Sequence, residues 1–97
     1  MPAYLIGKMH IIDVDRYNKY KKLTPEIVEK YGGRFLSRGG DKILLEGDDE
    51  LRRVVLVEFP SVREARQFYD SSEYAAARSL RTGAAVEMQL FIVEGYE

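Results

Sequence analysis

No cysteine occurs in these 97 residues, so disulfides, thiolate metal sites and thiol nucleophiles are excluded together. Tryptophan is absent, histidine occurs once and proline three times. A single histidine leaves no histidine-based metal triad. Charge of one sign is also lacking: fifteen Lys and Arg stand against sixteen Asp and Glu, a net charge of -1. Without a basic excess there is no general pull toward nucleic acid or an anionic membrane, and neither is expected as a partner. No apolar run approaches the ~18 residues of a membrane span. Met1-Pro2-Ala3-Tyr4-Leu5-Ile6 lacks a charged first segment and a long apolar one, so a signal peptide is not expected and a cytoplasmic location fits. A phosphate-cradling glycine fingerprint and a plausible serine triad are missing as well. With no cofactor motif, no cofactor is expected.

What is present reads as one globular domain over residues 1–97. Hydrophobic residues make up 45% and charged residues 32%, which suits a packed fold rather than disorder. A chain of this length buries only about 60–65% of its unfolded surface, so association would add stability. Ala3 to Ile12 reads as a strand apolar on both faces, with Leu5, Met9 and Ile11 on one and Tyr4, Ile6 and Ile12 on the other. Lys8 and His10 share the second face. Asp13 can cap a following helix, whose apolar stripe is Tyr17, Tyr20, Leu23, Ile27, Val28 and Tyr31. Pro25 should kink or split that helix near Leu23-Thr24, and Gly32-Gly33 should end it.

Arg34 to Glu46 reads as an extended segment with a bulge or bend at Gly39-Gly40. A turn at Gly47-Asp48-Asp49-Glu50 leads into a strand from Arg52 to Phe59. The pair predicts a β-hairpin with a four- to five-residue loop. Ser61 followed by Glu64 is a capping box, starting a helix that buries Val62, Ala65, Phe68 and Tyr69. Asp70-Ser71-Ser72 breaks it, and a second short helix lined by Tyr74, Ala77 and Leu80 runs to Thr82-Gly83. Val86 to Glu94 is the last strand, again apolar on both faces.

This order, βαββαβ, is the split βαβ arrangement of a ferredoxin-like α+β fold, with a four-stranded antiparallel sheet and helices on one face. The other face carries Ile6, Ile12, Phe91 and Val93. An uncovered apolar sheet face marks an interaction surface, and a second copy packed sheet to sheet would make a homodimer with a barrel-like interior.

Several strings along the chain resemble one family. They are Tyr4-Leu5-Ile6, Tyr31-Gly32-Gly33-Arg34-Phe35-Leu36, Arg38-Gly39-Gly40 and Leu45-Glu46-Gly47-Asp48. Val57-Glu58-Phe59-Pro60-Ser61, Phe68-Tyr69-Asp70-Ser71-Ser72-Glu73-Tyr74 and Val93-Glu94-Gly95 complete the set. The family is a group of bacterial proteins known as DUF1330, a domain of unknown function, and the resemblance covers essentially the whole chain. It implies a dimeric α/β barrel and no established activity. Proteins sharing that fold include cofactor-independent monooxygenases, lactone isomerases, haem-handling enzymes and regulatory modules, and fold does not choose among them.

The residues that bear chemistry each have two readings. His10, the only side chain that titrates near neutrality unperturbed, is a general base facing the dimer interior or a hydrogen-bonded interface residue. Glu58, ending a hydrophobic strand, is a general acid or base with a raised pKa or the partner of Lys8 or an arginine. Arg38, before the glycine pair, suits a carboxylate or phosphate ligand or pairs with Glu46 or Glu58. Tyr17, Tyr20, Tyr69 and Tyr74 line a pocket between helices and sheet or are amphipathic packing. Arg78 and Arg81 hold an anion or lie in solvent. Asp48-Asp49-Glu50 reads as a solvated turn rather than a carboxylate metal site. The string Arg38-Gly39-Gly40 occurs once and is no RNA-binding repeat.

Two functions fit. The first is a binder or transformer of a small organic molecule, acids included, using His10, Arg38 and Glu58 converging on one pocket. The second is a non-catalytic dimeric binding or interaction module.

Overall fold

The computed structural model describes residues 1–96. Strand β1 (Ala3–Ile11) leads into helix α1 (Val14–Lys30), then β2 (Arg34–Arg38) and β3 (Arg53–Phe59). Helices α2 (Val62–Asp70) and α3 (Ser72–Arg81) follow, and β4 (Ala85–Glu94) closes the order βαββααβ. The second crossover thus holds two helices, divided where Asp70-Ser71-Ser72 predicts a break. The strands form one sheet in the order β2-β3-β1-β4, antiparallel throughout. Among the described residues no helix is long and apolar enough to cross a membrane.

Period-two alternation assigns the faces of the central strand. Ala3, Leu5, Gly7 and Met9 are buried, while Tyr4, Ile6, Lys8 and His10 are half-buried on the other side. The buried set meets Phe59, Val57, Val55 and Arg53 across β3. It packs under the helices in a core of Leu5, Val28, Val57, Phe59, Ala65, Phe68 and Tyr74. Phe68 is the hub: its ring lies 5.2 Å from Phe59, 4.5 Å from Tyr74 and 6.4 Å from Tyr31. The opposite face, with Tyr4, Ile6, Val54, Leu56, Phe91 and Val93 in register, has no helix or strand of the described residues layered over it. Ile12 falls beyond the strand and is 63% exposed.

The helix ends follow local chemistry. The Asp13 carboxylate accepts the Arg16 backbone N–H at 3.0 Å, and Ser71 Oγ accepts that of Tyr74 at 3.1 Å. At the far end of α1, Gly33 N–H reaches Val28 O and Gly32 N–H reaches Glu29 O, both at 2.9 Å. This is the Schellman pairing, and it puts Gly32 at φ +79°. The capping box at Ser61 takes a different form: no backbone N–H is capped by its side chain, and the hydroxyl donates instead to the Glu64 carboxylate.

Three expectations are corrected in part. Of the kink or split expected at Pro25, the split does not occur: α1 runs unbroken from Val14 to Lys30. Proline removes the N–H that would satisfy the carbonyl four residues back. Here that carbonyl, of Lys21, accepts instead from the Arg38 guanidinium and from Thr24 Oγ1. Second, the hairpin loop is far longer than predicted. The strand pattern after Gly40 does not pair, and residues 39–52 form an excursion on which Ile43, Leu45 and Leu51 are 86%, 87% and 75% exposed. Third, of the bulge or bend expected at Gly39-Gly40, the bend is present at Gly39, and the β2 bulge lies instead between Phe35 and Ser37. Gly39 turns the chain at φ +73°, and a Cβ there would lie 2.4 Å from Arg53 Nη1.

Candidate functional site

The β2 bulge decides what faces the helices. Phe35 and Arg38 are three residues apart, so in a regular strand they would point to opposite faces. The extra residue at Leu36 shifts the phase, and Phe35 and Arg38 both stand opposite inward residues of β3, Val57 and Val55. Arg38 is thereby placed at the rim of a cavity of about 50 Å³ between the sheet and α1.

The cavity walls are mostly apolar, with Leu5, Met9, Val28, Phe35, Val55, Val57, Phe68 and Leu90 around them. Its polar groups are Tyr17, Tyr20, Thr24, Arg38 and Tyr74, and no carboxylate of the described residues lines it. Helix spacing explains the α1 contribution, because Tyr17, Tyr20, Thr24 and Val28 fall on one face at steps of three and four. The Tyr20 and Tyr74 hydroxyls are 2.8 Å apart, and Tyr17 Oη donates to Met9 Sδ at 4.0 Å. Burial raises the pKa of both Tyr17 and Tyr20 above the ordinary phenol value, so at neutral pH these groups stay protonated. They can donate and accept hydrogen bonds, but they are not bases.

Arg38 is held from three sides. Its Nη2 donates to Thr24 Oγ1 at 2.9 Å and to the Lys21 carbonyl, and its Cζ lies 4.5 Å from the centre of the Phe35 ring. Burial, more than any other influence, lowers its pKa from the ordinary value, yet a guanidinium remains charged. It pairs with neither Glu46 nor Glu58. On its outer side a recess of about 360 Å³ is lined by Asn18, Lys21, Lys22, Pro25 and Arg38. Arg38 therefore separates the cavity from a lysine-bearing surface groove.

The convergence of His10, Arg38 and Glu58 does not occur. His10 Nε2 lies 3.4 Å from Glu87 Oε2, and Glu58 accepts from Arg34 Nε at 3.0 Å. Both sit on the uncovered face, because His10 and Glu58 follow the outward phase set by Tyr4 and Ile6. Tyr69 is also separate. Its hydroxyl accepts from Arg78, and it borders a groove with Val62, Arg66 and Phe91 at the β4 side. Tyr17, Tyr20 and Tyr74 do come together with Arg38. The acidic turn is engaged locally: Glu50 binds Arg52 at 2.8 Å and Lys8 at 3.4 Å. Among the described residues, no three side chains capable of ligating a metal gather.

Arg53 was not singled out by sequence reasoning. Its Cζ lies 5.7 Å from the Tyr17 ring centre, on the same end of the cavity as Arg38. Its signal was the register itself, since Arg53 extends the inward series Phe59, Val57, Val55 by one step.

The chain belongs to the family described as Domain of unknown function (DUF1330), which matches residues 2–96. Among curated proteins none matches it. Solved structures similar to it include the RPA0582 protein of unknown function from Rhodopseudomonas palustris. That protein is 19% identical with a TM-score of 0.78, and the match covers 99% of this chain and 83% of that one. SnoaB, a cofactor-independent oxygenase from Streptomyces nogalater, is 8% identical with a TM-score of 0.69, over 99% and 94% of the two chains. A dimeric protein of unknown function and ferredoxin-like fold from Bacteroides fragilis is 12% identical with a TM-score of 0.60, over 97% and 96%. At these identities the likeness is one of fold: an α+β, four-stranded antiparallel sheet with ferredoxin-like neighbours.

Proposed function

We propose that this protein, one domain over its length, binds a small organic acid in the cavity between the sheet and α1. Arg38 addresses the carboxylate, and the Tyr20–Tyr74 hydroxyl pair orients the rest. One observation carries the reading: an apolar cavity with a guanidinium and phenols at its edge and, among the described residues, no carboxylate in its lining. Its volume is roughly three to five times what one water needs, so the occupant is a short-chain acid rather than a drug-sized molecule. Binding is favoured over proton-transfer chemistry, because among the described residues the titratable groups lining the cavity are an arginine and three phenols, of which burial pushes Tyr17 and Tyr20 toward the protonated form. SnoaB is an oxygenase, but the likeness to it is of fold, and fold does not carry an activity across.

The test is calorimetric titration with two- to six-carbon carboxylates. Arg38→Met, which keeps an apolar stem, should weaken binding by about tenfold or more. Tyr20→Phe should weaken it less. If no acid binds, or if Arg38→Met binds as well as wild type, the reading fails.

The same proposal includes a homodimer formed through the uncovered sheet face. Tyr4, Ile6, Val54, Leu56, Phe91 and Val93 make that face apolar, and Ile43, Leu45 and Leu51 on the long loop stand exposed beside the fold. Apolar patches of this kind mark association surfaces, and the Bacteroides fragilis neighbour is a dimer. A second copy would place His10 and Glu58 in the interface. Sedimentation equilibrium at micromolar concentration should give twice the chain mass, and a stable monomer would refute it. A dimer that binds no acid would leave the second reading, a non-catalytic interaction module.

A further inference from the structure

Beside the cavity, three guanidinium groups gather around two tyrosines with no carboxylate of the described residues paired to them. Arg38 ends β2, Arg53 begins β3 and Arg81 ends α3. Arg53 Cζ lies 5.7 Å from the Tyr17 ring centre, Arg81 Cζ lies 5.6 Å from the Tyr20 ring centre, and those rings are 5.4 Å apart. Arg53 Nη2 donates to the Arg38 carbonyl at 3.4 Å, so the two β-strand arginines adjoin. Among the described residues none of the three forms an ion pair. The Nε atoms of Arg53 and Arg81 are buried without a hydrogen-bond partner.

Stacking on tyrosine satisfies a guanidinium's face, and Arg81 also hydrogen-bonds the Tyr20 and Tyr74 hydroxyls, but its Nε and that of Arg53 stay unmet. Buried donors without acceptors are uncommon in folded proteins, and Arg38 and Arg53 are half-buried like charges that repel each other unless an anion or solvent intervenes. A single carboxylate at Arg38 would neutralise one charge of the three. We propose that the ligand is a dianion, a small dicarboxylate, whose second carboxylate is taken by Arg53 and Arg81. This rests on the acid-binding reading above and specifies its ligand class. Arg53 is kept in place by the Gly39 turn, because any larger residue there would collide with its guanidinium. The site therefore includes a backbone feature as well as three side chains.

The experiment compares acids that differ only in charge: butanoate with butanedioate, titrated calorimetrically into the full chain at pH 7.5 and low salt. Wild type should prefer the dianion by about tenfold or more. In Arg81→Gln and Arg53→Gln the ratio of the two affinities should fall toward one. Equal affinities in wild type would overturn the dianion proposal while leaving the acid-binding reading intact. Binding of neither acid would overturn both. A dianion preference that persists undiminished in both variants would also overturn the assignment to Arg53 and Arg81. The wild-type comparison needs no variant to fold.

Discussion

Removing Arg38 should destabilise the fold through a helix carbonyl seventeen residues away in sequence, and Pro25 should modulate that loss. Pro25 has no N–H for the Lys21 carbonyl, and Arg38 fills that vacancy while also donating to Thr24 Oγ1. A hydrogen bond from a charged donor is worth about 1.5–3 kcal/mol. Thr24 Oγ1 would still reach the carbonyl at 3.3 Å, so Arg38→Ala should cost about 2 kcal/mol, at the lower part of that range. For a domain of this size, that is a fall in Tm of roughly 8–16 °C. Pro25→Ala restores the missing N–H. In the Arg38→Ala background it should recover about 1 kcal/mol more than it yields in wild type, where the carbonyl is already satisfied. Urea unfolding of the four proteins measures that coupling. If the two substitutions add within about 0.5 kcal/mol, Arg38 is not serving the carbonyl that proline orphans, and the account of the unbroken helix is wrong.

Phe68→Ala, which empties the hub of the core, should cost about 3–5 kcal/mol, read as a lower urea midpoint with most of the native circular dichroism retained. Gly39→Ala should be worse than Gly47→Ala. Both glycines have positive φ, but a Cβ at Gly39 would lie 2.4 Å from Arg53 Nη1, whereas nothing lies within 4 Å at Gly47. Gly47→Ala should cost only the backbone strain of about 1–2 kcal/mol, and equal losses would refute the packing argument. Hydrogen bonding from Arg52 holds the Glu50 carboxyl at about 2. Because the folded value lies below the unfolded one, the stabilisation is present above the ordinary carboxylate range and is lost as pH falls toward 2. An NMR titration of Arg52→Gln should show Glu50 moving back up toward the ordinary carboxylate value, and an unmoved midpoint would refute the assigned cause.

Much of the element order was legible because local chemistry specifies it. Asp13, Gly32 and Ser71 mark helix ends through bonds spanning three to five residues. The alternation of Leu5, Gly7 and Met9 with Ile6, Lys8 and His10 separates the faces of β1. Arg38 and three of the four chosen tyrosines do border the cavity. His10 stands on the uncovered face, as the alternation of β1 predicts, but it does not converge with Arg38 because the β2 bulge turns Arg38 to the helix-covered face. The long loop was misread because Ile43-Leu44-Leu45 has strand composition, and composition does not supply a strand to pair with.

The amino-acid sequence by itself determined the family, the succession of strands and helices, and the apolar character of both faces of the sheet, since caps, turns and periodicity act over a few residues. Only the tertiary structure decided that α1 runs through Pro25, that a bulge at Leu36 turns Arg38 inward, and that Arg53 and Arg81 meet it around two tyrosines. Each of those depends on a partner far along the chain, and a one-residue change of strand phase reverses which side chains share a face.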